Sequence, residues 1–182
     1  MAEQVEFTIE LADAADYQTF ADIIQTVWND LDNKEWFVAD NADYTYEMLQ
    51  GGKGLGYKAV AADTGRVAGV FMAAIPGTSP NNLGYDAGLE ERELPLVAHM
   101  DSIAILPKYR GHKLQYRLMQ AAEKDLQKKG FKYLMCTVHP DNYYSRNNIV
   151  SQGYEPVAVK EKYGGYIRES FLKKIGRLST VG

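Results

Sequence analysis

Residues 101–127 form the stretch that most constrains the fold, and they read DSIAILPKYRGHKLQYRLMQAAEKDLQ. The apolar run at 103–106 has the length and the β-branched residues of a buried strand. Pro107 lacks a backbone N–H and ends that strand, and Gly111 can adopt backbone angles that a tight turn requires. Apolar residues then recur at helical spacing from Leu114 to Leu126, and Gly130 marks the end of the helix. The sequence therefore predicts a strand, a tight turn and a helix.

The predicted turn has the features of an anion-binding site. The first turn of a helix carries unpaired N–H groups, and the helix dipole favours negative charge there. Arg110, His112 and Lys113 add positive or titratable groups to the same turn. An ordinary strand-to-helix connection with a solvated basic turn is the alternative that these residues alone leave open.

The same turn resembles the acetyl-CoA signature of the GNAT acetyltransferase superfamily, usually written Arg-Gly-x-Gly-x-Gly. Arg110 and Gly111 match that signature, whereas Lys113 and Gln115 stand where the second glycine and the third small residue are expected. In the family, backbone amides of this motif hold the pyrophosphate of CoA. The resemblance implies a cofactor-binding segment made of Arg110, Gly111, His112, Lys113, Leu114 and Gln115.

A second block, residues 139–154, is similar to the family's Asn-x-x-Ala-x-x-Leu-Tyr-x-x-x-Gly-Phe segment. With Asn142 and Gly153 aligned, Ser145 takes the alanine position. The resemblance implies that Asn142 and Ser145 contact the cofactor. Ile149 takes the place of the tyrosine that often protonates the CoA thiolate, and isoleucine has no proton to donate. Tyr144 is the nearest replacement for this acid, Ser145 is a weaker one, and water is the third alternative.

The remaining sequence predicts a single α/β domain spanning residues 1–182. Hydrophobic periodicity and turn residues predict strands and helices in mixed order. The resemblance makes this the GNAT fold, a central mixed, mostly antiparallel β-sheet flanked by helices. Strands are predicted at 5–11, 57–62, 67–75, 94–106, 132–138, 154–160 and 169–175, and helices at 15–31, 44–49, 114–129 and 142–152, with the glycine-rich residues 51–56 as a flexible connector.

The resemblance also suggests how the chemistry is divided along the central strand. In the family, the backbone of this strand, here at Ile103, Ala104 and Ile105, pairs with the pantetheine arm. Asp101 occupies roughly the position of a carboxylate that often acts as the general base. His99 lies two residues away, so a regular strand would place it on the same face, where it is an alternative base. A capping or solvated role for Asp101, with solvent deprotonating the amine, also remains open.

Composition excludes several other classes of protein. The net charge of −4 argues against a nucleic-acid binder, and no apolar run approaches the ~20 residues of a membrane span. We therefore expect a cytoplasmic protein. Cys136 is the only cysteine, which excludes an internal disulfide, and we expect it to be a buried, unreactive residue. The three histidines fit no zinc spacing, so no metal site is expected.

These observations predict an acetyl-CoA-dependent N-acetyltransferase that acts on a small-molecule or protein amine. A GNAT-fold module that binds CoA but has lost catalysis is the main alternative, and an unrelated nucleotide-binding α/β protein is another. The oligomeric state is left open, with a homodimer as one alternative. Two segments are candidates for the acceptor side: Trp36 in the connector after the first helix, and the long irregular segment 76–93.

Overall fold

The computed structural model describes residues 4–176. Seven strands form one sheet in the order β1-β2-β3-β4-β5-β7-β6. The strands are β1 (Phe7–Ala12), β2 (Gly54–Ala61), β3 (Val67–Ala74), β4 (Val97–Ile105), β5 (Tyr133–Val138), β6 (Glu155–Lys162) and β7 (Tyr166–Lys174). The helices are α1 (Tyr17–Asp30), α2 (Ala42–Leu49), α3 (Leu114–Lys128) and α4 (Tyr143–Ser151). The sequence-based prediction of a mixed, mostly antiparallel sheet flanked by helices is confirmed, because β4–β5 is its one parallel pair among these strands.

Helices cover both faces of the sheet. Val70 on β3 packs in a core cluster with Phe20 and Ile24 of α1 and Leu49 of α2. Its neighbour Phe71 points to the opposite face, as successive strand residues do. Phe71 belongs to the largest cluster, which includes the apolar stripe of α3 and Ile149 of α4. The two layers fix β4 in the centre of the sheet, with α1 and α2 on one side and α3 and α4 on the other.

The prediction that residues 51–56 form a flexible connector is wrong for its second half, because β2 begins at Gly54. A Cβ atom at Gly54 would lie 2.8 Å from the carbonyl oxygen of Ala73. At Gly56 it would lie 2.2 Å from Cδ2 of Leu49. These glycines therefore allow close packing of β2 against β3 and α2 rather than flexibility.

Segment 76–93 is tied to the body of the protein. Asn82 donates hydrogen bonds to the carbonyl oxygens of Gly77 (2.9 Å) and Leu94 (3.0 Å). The carboxylate of Asp86 accepts from Lys160, Lys162 and Ser170 on β6 and β7. These bonds hold the segment against the β6–β7 end of the sheet.

Candidate active site

A cavity opens where β4 and β5 separate. The two strands pair only through Val97–Tyr133, Ala98–Leu134 and His99–Met135. Beyond these pairs the strands diverge, and a cavity of about 600 Å³ opens between them. Its walls include Met100, Asp101, Ile103, Ala104 and Ile105 from β4, and Cys136, Thr137 and Val138 from β5.

The backbone of β4 directs hydrogen-bonding groups into this cavity. The Leu106 N–H donates to the carbonyl oxygen of Ala68 at the end of β3, at 2.9 Å. Residues of an antiparallel strand alternate in the side to which both N–H and C=O point. Ile105 and Ile103 therefore direct theirs away from β3, toward the separated edge of β5. Such groups can pair with an extended amide-containing ligand, as the resemblance described above implies for the pantetheine arm.

The turn before α3 lines one end of the cavity with a helix N-terminus. Gly111 has a φ of +86° and Lys113 a φ of +57°, so both residues adopt left-handed backbone conformations before Leu114 begins the helix. The side chain of Lys113 makes no capping bond to α3. The first-turn amides of α3 therefore receive no cap from that side chain and form a favourable site for phosphate. Arg110, Gly111, Lys113, Leu114 and Gln115 all line the cavity.

His112 is the predicted cofactor-binding residue of this turn that does not line the cavity. Its ring packs against Phe7 at the start of β1, with a centroid separation of 5.1 Å. This contact attaches the turn to the edge of the sheet. His112 therefore stabilises the conformation of the turn by packing on the sheet and does not line the anion site itself.

The N-terminus of α4 lines the opposite wall. The side-chain oxygen of Asn142 accepts the backbone N–H of Ser145 at 3.2 Å and so caps the helix. Asn142, Tyr144, Ser145 and Ile149 all line the cavity. Ile149 is only 3% exposed, whereas Tyr144 is 76% exposed. The structure thus brings the two predicted acid candidates, Tyr144 and Ser145, to the same wall.

Asp101 is the extra residue of a β-bulge in β4. Met72 of β3 pairs with Ser102, and the next residue, Ala73, pairs with Met100, so Asp101 has no opposite partner on β3. Met100 and Asp101, on either side of this irregularity, both line the cavity. The phenol of Tyr44 on α2 donates a hydrogen bond of 2.8 Å to Oδ2 of Asp101. Desolvation by the surrounding protein raises the pKa of Asp101 above its ordinary value, and the bond from Tyr44 partly offsets this by favouring the carboxylate.

Sequence reasoning missed the groups around Asp101. The hydroxyl of Ser102 donates a hydrogen bond to Asp40 in the segment before α2. Desolvation and the negative charge of Asp101 raise the pKa of Asp40 to about 6. Tyr163, in the turn between β6 and β7, shares a hydrogen bond of 2.9 Å with the hydroxyl of Thr137, and desolvation raises its pKa. We call Asp40, Tyr44, Asp101 and Tyr163 the acidic cluster.

His99 lies outside the cavity. Its cross-strand partner Ala74 packs in a cluster with Tyr44, and the phenol of Tyr44 bonds Asp101, so His99 and Asp101 both face α2, as the sequence predicts. His99 is nevertheless not among the residues that line the cavity. Its Nε2 atom accepts the backbone N–H of Leu83 at 3.0 Å. Desolvation, followed by the charge of Lys162, lowers its pKa to about 4. His99 is therefore a neutral anchor for segment 76–93, and that segment does not contribute to the described lining of the cavity.

Trp36, a candidate for the acceptor side, lies in the wall of the cavity beside Phe37. Two cations fix this connector. The Nζ atom of Lys34 lies 2.7 Å from each of three carbonyl oxygens at the end of α1, those of Trp28, Asn29 and Leu31. Arg168 of β7 donates to the carbonyl oxygen of Glu35. The connector that carries Trp36 is consequently held between α1 and the β6–β7 hairpin.

Cys136 and possible metal ligands were the other candidates for chemistry in the described residues. Cys136 lines the cavity, but burial raises the pKa of its thiol to about 12, which keeps it protonated. Within residues 4–176, no group of three or more His, Cys, Asp or Glu side chains is arranged to hold a metal ion. In the same residues, no helix is both long and apolar enough to cross a membrane.

Comparison with known protein families shows which family this chain belongs to. The family model described as "Acetyltransferase (GNAT) family" matches residues 18–154, most of the chain. The chain belongs to the GNAT acetyltransferase family. Its members use acetyl-CoA as the acyl donor, so the protein is an acetyltransferase with acetyl-CoA as cosubstrate. A search of curated proteins finds no match.

Solved structures agree with this acetyltransferase fold. The ribosomal-protein-S18-alanine N-acetyltransferase of Escherichia coli has a TM-score of 0.70 and 15% identity, covering 97% of this chain and 98% of that one. Arabidopsis thaliana NAA60 in complex with acetyl-CoA has a TM-score of 0.73 and 11% identity, covering 93% and 99%. At these identities the comparison shows that the acetyltransferase shares their fold, and it leaves the acceptor open.

Proposed function

We propose that this acetyltransferase transfers an acetyl group from acetyl-CoA to a primary amine, with Asp101 as the general base. One observation carries the proposal: the Asp101 carboxylate lies in the cavity between the separated strands, two residues from the inward-facing N–H of Ile103. An acyl transfer to an amine needs a proton acceptor beside the reacting carbon and donors for the developing oxyanion. Both are present on one short segment of β4.

The residues around the cavity fit acetyl-CoA. The anion site at the start of α3, with Arg110 and Lys113, suits the pyrophosphate, and the β4 backbone at Ile103 and Ile105 suits the amides of the pantetheine arm. Asn142 and Ser145 lie on the facing wall, where they would contact the same arm. When bound, the cosubstrate supplies the thioester that is the source of the acetyl group.

The protein's own groups then manage two protons. The Asp101 carboxylate takes one proton from the acceptor nitrogen, so that a neutral amine attacks the thioester carbon and Asp101 becomes a neutral carboxylic acid. Tyr44 holds the Asp101 side chain in place through Oδ2. Tyr144 is the proposed donor to the departing sulfur, because it is the phenol of α4 that lines the cavity. Ser145 is the weaker candidate, and Ile149 contributes only an apolar surface.

The acceptor belongs to one of two classes, a small-molecule amine or the amine of a protein. The neighbouring structures include enzymes named for alanine of ribosomal proteins S18 and S5, which supports including protein α-amines among the candidates. The acidic cluster beside the cavity favours cationic acceptors over anionic ones.

Turnover measurements test this proposal. Release of free CoA thiol from acetyl-CoA would be followed with three sets of acceptors: small mono- and polyamines, amino acids, and short peptides with a free α-amine. We expect transfer to at least one primary amine, and Asp101→Asn should slow it by roughly 10²-fold or more. Tight binding of CoA in calorimetry, with no transfer to any of these acceptors, would instead support the catalytically degenerate CoA-binding module that the buried Ile149 favours.

A further inference from the structure

The carboxylate of Asp101 contacts a helix far from it in sequence. Tyr44, on α2, is separated from Asp101 by 57 residues, yet its phenol donates a 2.8 Å hydrogen bond to Oδ2. Asp101 itself lies in a bulge that opens to the cavity, so strand pairing with β3 does not constrain it. A base in such a place needs another group to fix its orientation.

We propose that Tyr44 is a positioning residue that orients Asp101 and keeps it available as a carboxylate. This inference rests on the proposed function of Asp101. A hydrogen bond from a neutral phenol to one carboxylate oxygen leaves the other oxygen to face the cavity. It also favours the charged form of the acid, which is the form that can accept a proton.

The local structure of α2 makes Tyr44 a rigid donor. The side-chain oxygen of Asn41 caps the helix by accepting the backbone N–H of Tyr44 itself, at 2.8 Å. The aromatic ring packs against Met48, Met72 and Ala74. Because packing holds the ring and the cap holds its backbone, the phenol oxygen is aimed at β4 before any ligand arrives.

Two other titratable groups lie near Asp101. Asp40, in the segment before α2, is a second carboxylate, and the charge of Asp101 raises its pKa, so Asp101 ionises while Asp40 is still protonated. Tyr163, from the β6–β7 turn, interacts electrostatically with Asp101, and it is held by Thr137 and partly balanced by Arg168. Tyr44 is the described residue that makes a direct hydrogen bond to the carboxylate. Removing the donor of Tyr44 should therefore raise the pKa of Asp101, whereas removing the carboxylate of Asp40 should leave that pKa nearly unchanged.

The test is the pH dependence of kcat at saturating acetyl-CoA and acceptor. Tyr44→Phe keeps the packed ring and removes only the donor, so the pKa of Asp101 should rise. The acidic limb of the profile should move upward by about one pH unit, with about a tenfold loss of kcat on that limb. The KM for acetyl-CoA should not change. Tyr46→Phe is the matched control, because Tyr46 lies on the same helix and packs edge-on against Tyr17 at 5.3 Å.

Asp40→Asn gives the second arm of the test. It retains an oxygen that can accept from Ser102 and removes a neighbouring carboxylate that is still protonated when Asp101 ionises, so the acidic limb should stay near its wild-type position. An upward shift for Tyr44→Phe, with no comparable shift for Asp40→Asn or Tyr46→Phe, supports the inference. A Tyr44→Phe profile that superimposes on the wild type, while Asp101→Asn abolishes the limb, would overturn it without touching the proposed function. Absence of wild-type turnover would refute the proposed function, and this inference with it.

Discussion

At the residue scale, Lys113 carries an unusual backbone conformation at the mouth of the cavity. Its φ of +57° lies in the left-handed region, which costs a side-chain-bearing residue about 1–2 kcal/mol. Glycine is expected at this position in the family signature. In this chain the position instead provides an ammonium group beside the N-terminus of α3. The strain and the charge are therefore two consequences of one residue.

Substituting Lys113 separates these two consequences. Lys113→Gly should relieve the backbone strain and, after the larger entropy of the unfolded glycine is subtracted, raise the free energy of unfolding by about 0.5–1 kcal/mol. The affinity of Lys113→Gly for CoA should fall, because one cation near the phosphates is lost. Lys113→Gln keeps the strain but removes the charge, so it should weaken CoA binding without stabilising the protein. Chemical denaturation and calorimetry check both parts, and equal stabilities for the two variants would contradict the strain argument.

At the scale of elements, Asp86 links segment 76–93 to the last two strands. Its side chain is only 5% exposed, and it accepts from Lys160, Lys162 and Ser170. Desolvation opposes the charge of Asp86, but the hydrogen bonds from Lys162, Lys160 and Ser170 outweigh it and lower the pKa of the carboxyl. The segment also carries Leu83, which binds His99. One carboxylate thus connects three parts of the fold.

Asp86→Asn should reduce the free energy of unfolding at pH 7 by about 1–3 kcal/mol, the usual range for hydrogen bonds to a charged group. We expect a value toward the lower end of this range, because the lysine partners are partly exposed to solvent. Because the folded pKa is depressed, the wild-type advantage should be present at neutral pH and disappear as the pH falls through the folded pKa. Glu90→Gln is the control, since the Glu90–Arg92 pair is exposed and should contribute little. An equal loss for both variants in urea denaturation would contradict the role of Asp86.

Particular residues show how far the sequence could predict these elements. The periodicity of α3, the turn at Gly111 and the cap at Asn142 depend on local sequence, and the structure has each of them. The bulge at Asp101 depends on how β3 pairs with β4, and Tyr44 and Asp40 reach it from about 60 residues away through tertiary folding. Gly54 and Gly56 look like linker residues in the sequence. They are glycines because a Cβ atom there would clash with β3 or α2, and the sequence does not show which elements lie beside them.

At the scale of the whole molecule, the lowered pKa of His99 makes the free energy of unfolding depend on pH in the acidic range. Its folded pKa of about 4 lies below its ordinary value of 6.5. As the pH falls from about 6.5 to 4, the unfolded chain binds this proton before the folded protein does, so stability is lost over that window. The loss has a ceiling of about 3 kcal/mol. Asp40 and Asp101 act in the opposite sense, because their raised pKa values favour the folded form as the pH falls.

Comparing variants isolates the contribution of His99. His99→Gln can still accept the N–H of Leu83 but does not titrate, so its free energy of unfolding should fall less than that of the wild type between pH 6.5 and 4. His139→Gln, in the loop after β5, is the matched control and should follow the wild type. Urea denaturation at several pH values provides the measurement. Parallel curves for wild type and His99→Gln would show that His99 is not buried as a neutral group.

The most direct test of the account is the pH–rate profile of Asp101→Asn. If Asp101 removes the amine proton, kcat should fall by roughly 10²-fold or more, in the range typical of general-base catalysis, and the acidic limb should vanish. The Kd for acetyl-CoA should stay within about twofold of wild type, because its proposed contacts lie on other residues. Full kcat with an unchanged acidic limb in Asp101→Asn would contradict the account.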